Sequence, residues 1–185
     1  MDPGRKPDIE LEAYNTPCTQ ELSHLSKRSN PSGYTGSDEA LKRAKFWIGE
    51  CTTHTECGEG LPTALPTRVL DLGDDESSVT VRLHIAGETT SSLARYACLS
   101  HCWGGHPNPT VLTMSNLGSW VQGVPVANLP ILYQQAIATT KSLDLRYLWI
   151  DSLCIVQDNI QDWQLESTKM AEIYQNSYIT IAASS

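Results

Sequence analysis

The stretch from Arg146 to Asp158, RYLWIDSLCIVQD, constrains the fold of this chain more than any other. It holds the longest nearly unbroken apolar run, rich in β-branched, aromatic and leucine residues. Such a run predicts a strand that is covered on both faces, as in a parallel α/β sheet. The polar residues Asp151 and Ser152 lie at its centre, and ligands bind at the carboxyl ends of strands in open α/β sheets. We therefore place the functional centre in this strand and in the loop and helix that follow it.

Strands and helices are predicted to alternate around this run. Residues 96–101 and 178–183 give further buried strands, and amphipathic helices are predicted from Asn128 and over 162–175. This order predicts an α/β fold with a parallel sheet flanked by helices. Upstream, Ser37 can cap a helix that ends near Cys51. A strand at 67–72, a turn and an alternating strand at 79–85 predict a hairpin. Residues 107–127 are predicted to be a loop.

Composition divides the chain into three parts and excludes several functions. We expect a polar, partly disordered leader at 1–36, a helix and hairpin extension at 37–95, and a core domain at 96–185. The net charge of −8 argues against nucleic-acid binding, which needs a basic face. No apolar stretch reaches the roughly 20 residues of a membrane span. We expect a cytoplasmic protein with reduced thiols.

One carboxylate falls on the wrong side of its helix. On a helical wheel, Trp163, Met170 and Ile173 share an apolar side, and Glu166 lies near its middle. An isolated buried carboxylate is very costly, so Glu166 needs a partner or a ligand. It is either a structural residue, bonded to Arg146, a backbone N–H or a buried hydroxyl, or a functional carboxylate that lines a cleft.

A second group of residues has the chemistry of a nucleophilic site. Ser100, His101, Asp151 and Cys154 are the types found in Ser/His/Asp or Cys/His enzymes. Adjacent strand residues face opposite ways, however, so Ser100 and His101 are expected to point apart. No G-x-S-x-G motif surrounds Ser100 or Ser152. Hydrolysis by a serine or cysteine nucleophile is therefore the less favoured interpretation.

Three possible zinc ligands occur close together as Cys51-x-x-His54-x-x-Cys57. A structural zinc site normally has four ligands, and this spacing is not a common one. We predict that these residues mark the end of a helix and that they do not form a closed zinc site.

Several segments, taken in order, resemble the fungal heterokaryon-incompatibility (HET) domain. They are Tyr96-Ala97-Cys98-Leu99-Ser100-His101-Cys102-Trp103-Gly104, Leu129-Pro130, the stretch from Arg146 to Asp158, Asp162-Trp163-x-x-Glu166, Met170, Ile173-Tyr174 and Thr180-Ile181-Ala182-Ala183. The upstream residues Trp47, Cys51, His54, Cys57 and Leu65 to Leu70 are similar to the region that precedes this domain. HET proteins usually extend further, so the chain is expected to be a short member or an N-terminal fragment whose core is truncated at its C-terminal end.

The resemblance implies a role in fungal nonself recognition and programmed cell death, a form of innate immunity. HET domains have been considered distant relatives of TIR domains, which implies a TIR-like, flavodoxin-like sheet. In TIR enzymes that cleave NAD+, a W-x-x-E pattern on the helix after a central strand carries the catalytic glutamate, and Trp163-Gln164-Leu165-Glu166 is similar to it. On this basis Glu166 is the expected catalytic residue of an NAD+ glycohydrolase (NADase).

Five residues are expected to bind the substrate by the same resemblance: Ser100, Trp103, Gly104, Asp151 and Trp163. NAD+ is then a substrate rather than a cofactor, and self-association is expected for activity. Two alternatives stay open. One is a non-catalytic signalling module that triggers death by self-association or partner recruitment, and the other is a zinc-stabilised interaction domain.

Overall fold

A mixed β-sheet forms the centre of the protein. The computed structural model describes residues 9–10, 35–54, 60–74, 78–86, 93–102 and 110–183. Its strands are β1 Ile9–Glu10, β2 Thr63–Ala64, β3 Arg68–Asp71, β4 Thr80–Ile85, β5 Leu93–Ala94, β6 Tyr96–His101, β7 Val124–Pro125, β8 Tyr147–Ile150 and β9 Ile179–Ala183. Its helices are α1 Asp38–Cys51, α2 Leu117–Gln122, α3 Ile131–Ser142, α4 Asp151–Cys154 and α5 Ile160–Gln175, with a 3₁₀ turn at Val126–Asn128.

The strand order of the main sheet is β1-β9-β6-β8-β3-β4-β7. Strand β6 pairs in parallel with both β8 and β9, so that Leu99 lies opposite Ile150 on one side and Ile181 on the other. The predicted parallel arrangement of these three strands is confirmed, and so is the α/β class. The strands outside them pair antiparallel, which makes the complete sheet mixed.

The predicted hairpin is confirmed and is continuous with this sheet. Strands β3 and β4 are antiparallel, with Leu70 opposite Leu83. On its other edge Leu70 lies opposite Leu148 of β8. The extension that the sequence predicts over 37–95 therefore contributes strands to the same sheet as the core segment.

Helices α3 and α5 pack on opposite faces of the sheet. Successive side chains of a strand point to opposite faces. The hydroxyl of Tyr96 donates to the carbonyl of Ile173 on α5 over 2.7 Å. At the other end of β6, the ring of His101 meets that of Tyr133 on α3 edge to face, with centroids 5.4 Å apart. Even positions of β6 thus face α5, and odd positions face α3.

The buried core lies along β3, β6 and β8 and under the helices. Its largest fully buried apolar and aromatic side chains are Trp149, Tyr96, Tyr133, Leu70, Leu72, Leu99, Leu112, Leu148, Ile150, Leu153 and Ile181. The burial of each side chain of this size stabilises the fold by about 1.5–3 kcal/mol. The apolar run that organises the sequence therefore lies at the centre of the molecule.

That run does not form one strand. Strand β8 ends at Ile150, and Asp151 begins the short helix α4. The Asp151 carboxylate accepts a hydrogen bond from the N–H of Ser152 over 2.7 Å, a local bond that competes with strand pairing. A carboxylate is also favourable in the first turn of a helix. The chain turns at the aspartate for these reasons, although apolar residues continue beyond it.

The predicted loop at 107–127 is wrong where the structure describes it. Over 110–127 the chain forms α2, β7 and the 3₁₀ turn. Trp120 of α2 is buried, and Gly123 ends the helix with a φ of 128°. In the predicted leader, Ile9–Glu10 pairs with β9, and residues 1–8 and 11–34 lie outside the described residues. In the part of the chain that the structure describes, no helix has the length and apolar character to cross a membrane.

Candidate functional site at the carboxyl edge of the sheet

Polar side chains meet at the carboxyl ends of the parallel strands β6 and β8. Nε2 of His101, the last residue of β6, lies 3.2 Å from the hydroxyl of Tyr133. That hydroxyl lies 2.7 Å from Oγ of Ser152 in α4. Nδ1 of His101 faces Oδ1 of Asp151 at 3.9 Å. These four residues, His101, Tyr133, Asp151 and Ser152, are called the His101 cluster below.

Burial determines the charge of the His101 ring. The His101 side chain is only 4% exposed, and this burial lowers the pKa of the ring. The Asp151 carboxylate acts in the opposite direction, but burial is the larger cause. The ring is therefore neutral at pH 7, since desolvation disfavours its charged form. The Asp151 side chain is 21% exposed and is the solvent-facing end of the cluster.

The structure brings together only part of the nucleophilic group considered from sequence. His101 and Asp151 meet as that chemistry would require. Ser100 is exposed and points to the opposite face of β6. The Cys154 thiol is fully buried, and burial raises its pKa to about 12. Because the thiolate is the reactive form of cysteine, the burial of Cys154 favours a structural role for this thiol over that of a nucleophile.

Tyr133 was not among the predicted site residues, although a signal for it exists. A tyrosine on the core face of a helix is normally buried with its hydroxyl paired to another polar group. The sequence therefore implies a buried polar partner for Tyr133, but not which one. Only the packing of α3 against the ends of β6 and β8 identifies His101 and Ser152 as the partners.

Glu166 is buried, as its place on the helical wheel predicts. It is 2% exposed on α5, and its Oε1 accepts a hydrogen bond from Nζ of Lys169 over 2.9 Å. The same ammonium group donates to the Thr67 hydroxyl over 3.0 Å. The suggested partner Arg146 is wrong, because that guanidinium binds Asp71 with two hydrogen bonds of 2.8 Å.

The i, i+3 spacing of Glu166 and Lys169 is the sequence signal for this ion pair. The lysine side chain is 38% exposed, so it covers the carboxylate from the solvent side. Glu166 and the Asp151–Ser152 part of the His101 cluster both follow strand β8 in sequence, but Glu166 lies on α5 and the cluster packs against α3, on the opposite face of the sheet.

The other predicted substrate-binding residues do not belong to the His101 cluster. Trp163, which the helical wheel places on the apolar side of α5, is 49% exposed. Trp103 and Gly104 lie outside the described residues. The assignment of Ser100, Trp103, Gly104, Asp151 and Trp163 to substrate binding stays a prediction.

A buried ion pair supports the first turn of α5. The Arg68 guanidinium donates to Oδ2 of Asp162 over 2.6 Å and to the carbonyl of Cys154 over 2.7 Å. The same carboxylate oxygen accepts from the N–H of Val156 over 2.9 Å. These bonds fix the start of α5 relative to β3 and α4. The sequence predicts Arg68 only as part of a strand and gives no sign of its ion pair with Asp162.

The possible zinc ligands are only partly described. Cys51 is half-buried at the end of α1, and His54 is exposed beyond it. Cys57 lies outside the described residues. The helix end is confirmed, and the prediction that these residues do not form a closed zinc site stays a prediction.

The fold and site define an α/β domain whose mixed sheet carries a buried polar cluster at the carboxyl ends of its central parallel strands. Residues 96–185 match the family model described as Heterokaryon incompatibility protein (HET), and the chain therefore carries a HET domain. This confirms the resemblance found in the sequence and indicates a role in heterokaryon incompatibility and cell death. No curated protein and no solved structure matches the chain at a significant level.

Proposed function

We propose that this HET domain is a cell-death effector of fungal nonself recognition that hydrolyses NAD+ in the cytoplasm. The observation that supports this most is the position of Glu166. Its carboxylate is 2% exposed, one turn after Trp163, on helix α5, which comes after the central strand β8 and the short helix α4. This position supports the resemblance, noted in the sequence, to the W-x-x-E glutamate of NAD+-cleaving TIR enzymes.

The proposed reaction breaks the bond between C1′ of the nicotinamide ribose and the pyridinium nitrogen. The bonding electron pair leaves with nicotinamide, which becomes neutral, and positive charge develops on the ribose as an oxocarbenium ion. Water then adds to C1′ and loses a proton, giving ADP-ribose. A carboxylate held in a low-dielectric site stabilises such a developing charge more strongly than one in water. In our proposal Glu166 stabilises this charge, or it binds the hydroxyl groups of the nicotinamide ribose.

Lys169 must move for Glu166 to act in this way. Its ammonium group donates a hydrogen bond to Oε1 of Glu166. The charge of this group would also oppose the positive charge that develops on the sugar. The side chain is 38% exposed, so it can turn outward without crossing the core. The domain as observed is therefore a closed form in this proposal. Self-association is the proposed trigger for opening, since the release of a buried carboxylate needs a new source of free energy.

A second candidate function is a non-catalytic signalling module. The specific observation in its favour is the same ion pair, since Glu166 already has the partner that a structural carboxylate needs. Helix α5 also exposes Ile160, Trp163 and Leu165, with 72%, 49% and 57% of their surfaces accessible. In this alternative, death follows from contacts made by such residues, and NAD+ is not consumed.

Nicotinamide release separates the two candidates. Purified protein is incubated with NAD+ at low and high protein concentration, and nicotinamide and ADP-ribose are measured by chromatography. The enzyme hypothesis predicts equal amounts of both products and a rate per molecule that rises with concentration. A heat-inactivated sample is the control. Absence of both products at high concentration, from protein that is folded and kills cells, would favour the signalling module.

A further inference from the structure

One ring nitrogen of the His101 cluster has no hydrogen-bond partner among the residues that the structure describes. Nε2 of His101 is engaged by Tyr133, but Nδ1 is buried and unpaired. Oδ1 of Asp151, at 3.9 Å, is beyond hydrogen-bonding distance. A buried polar atom that lacks its hydrogen bond costs about 1–3 kcal/mol. Such an atom in a native fold requires an explanation, and a ligand is one of the few available.

The surroundings hold this nitrogen in a fixed direction. The Tyr133 hydroxyl lies between Nε2 of His101 and Oγ of Ser152, at 3.2 and 2.7 Å. The rings of His101 and Tyr133 also meet at 89°, which restrains rotation of the imidazole. Tyr133 and Ser152 are fully buried, so they act as positioning residues. The more exposed edge of the cluster is Asp151, whose side chain is 21% exposed, and Nδ1 of His101 lies 3.9 Å from its carboxylate.

The chemistry of the pair selects the class of ligand. A neutral imidazole nitrogen and a carboxylate can both accept hydrogen bonds, and they lie side by side at the ends of adjacent parallel strands. A phosphate is disfavoured because it would face the carboxylate. Burial of an ammonium group against the ring is much more costly than burial of a hydroxyl. Two neighbouring hydroxyl groups, each donating one hydrogen bond, fit the pair.

We propose that Nδ1 of His101 and the carboxylate of Asp151 bind the vicinal hydroxyl groups of a ribose ring. This rests on the proposed function, in which NAD+ supplies that ribose; because Glu166 lies on the other face of the sheet, the ribose at His101 is the one in the adenosine half of NAD+. One hydroxyl donates to the ring nitrogen and its neighbour donates to the carboxylate. In this arrangement Nε2 of His101 keeps its proton, which it donates to Tyr133, and the Tyr133 hydroxyl donates to Ser152.

The experiment uses protein with the Glu166→Gln substitution, to prevent turnover, and with ¹⁵N-labelled histidine. NAD+ is titrated while the ring nitrogens are followed by NMR, and His101→Gln identifies the His101 signals by their loss. We expect the Nδ1 signal of His101 to shift as it accepts a hydrogen bond. An unmoved signal at millimolar NAD+ overturns the proposal.

Two substitutions of His101 then separate binding from structure. Glutamine keeps a polar group near the Nε2 position, toward Tyr133, but leaves nothing at the Nδ1 position. Asparagine keeps a polar group near Nδ1. We expect His101→Gln and Asp151→Asn each to weaken NAD+ binding at least tenfold by calorimetry, and His101→Asn to weaken it less. Unchanged affinity in folded His101→Gln protein overturns the proposal.

The failure of this proposal can be distinguished from failure of the NADase proposal. If wild-type protein releases no nicotinamide but NAD+ shifts the Nδ1 signal, the ribose site stands and the enzyme hypothesis fails. If nicotinamide is released while the Nδ1 signal stays unmoved, the enzyme hypothesis stands and the ribose site fails.

Discussion

The hydroxyl of Tyr133 lies 3.2 Å from Nε2 of His101 and, on its other side, 2.7 Å from Oγ of Ser152. It thus joins helix α3 to the ends of both β6 and the β8–α4 junction. All three side chains are almost completely buried, so each depends on the others for its hydrogen bonds.

Tyr133→Phe tests this connection. Removal of the hydroxyl leaves two buried polar groups without their partner, which should lower the free energy of unfolding by about 1–3 kcal/mol. Urea denaturation measures the change. Tyr178→Phe is the control, because the Tyr178 hydroxyl makes no hydrogen bond to another described residue. Equal stability of the two variants would show that the bonds to Tyr133 contribute nothing.

The lowered pKa of His101 predicts a pH dependence of stability. The unfolded ring titrates near pH 6.5, above the folded ring, so the unfolded chain binds a proton first as the pH falls. This contribution to stability is therefore full above pH 6.5 and decreases progressively below it. The nearby Asp151 carboxylate reduces the effect but does not reverse it.

Urea midpoints at several values from pH 7.5 to 5 test this dependence. The wild type should lose stability over this range, and His101→Gln should lose less, because its side chain does not titrate. Parallel pH profiles for the two proteins would contradict the inference that the pKa of His101 is lower in the folded protein than in the unfolded chain.

Much of the fold follows from local sequence patterns. The parallel strands ending at His101, Ile150 and Ala183 were predicted because buried apolar runs alternate with amphipathic helices. The burial of Glu166 was predicted because helical periodicity fixes which side of α5 it occupies. Both are properties of one segment and its neighbours in sequence.

The missed features depend on contacts between distant segments. Periodicity gave the side of the helix on which Glu166 lies but not the distance to Arg146, which binds Asp71 instead. The meeting of His101 with Tyr133 and Asp151 depends on the order of strands in the sheet. Helix α2 was missed because six residues give too short a pattern to distinguish from a loop.

The ion pairs of Arg68 and Arg146 should differ in their contribution to stability. Arg68 and Asp162 have side chains only 10% and 18% exposed. Arg68→Met leaves the Asp162 carboxylate without its cation and should cost about 3–5 kcal/mol. Arg146 is 41% exposed, so Arg146→Met should cost no more than about 1 kcal/mol despite its bonds to Asp71. Thermal and urea unfolding of both variants test the difference, and a larger loss for Arg146→Met would contradict it.

Lys169→Met tests whether the observed ion pair holds the domain closed. Loss of the ammonium group frees the Glu166 carboxylate and should raise nicotinamide release per folded molecule several-fold. Stability should fall by about 1–3 kcal/mol, since a buried carboxylate loses a charged partner. Lys45→Met, which removes an exposed pair with Asp144, is the control and should change neither quantity. Loss of turnover in folded Lys169→Met protein would show that the lysine supports the reaction.

The central claim, that Glu166 is the catalytic carboxylate, is tested most directly by Glu166→Gln, which keeps shape and volume and removes the charge. NAD+ turnover and thermal melting are measured on one preparation, beside Glu172→Gln, an exposed glutamate of the same helix. Our account predicts folded Glu166→Gln protein without nicotinamide release, and full release by Glu172→Gln. Full turnover by well-folded Glu166→Gln protein would contradict it.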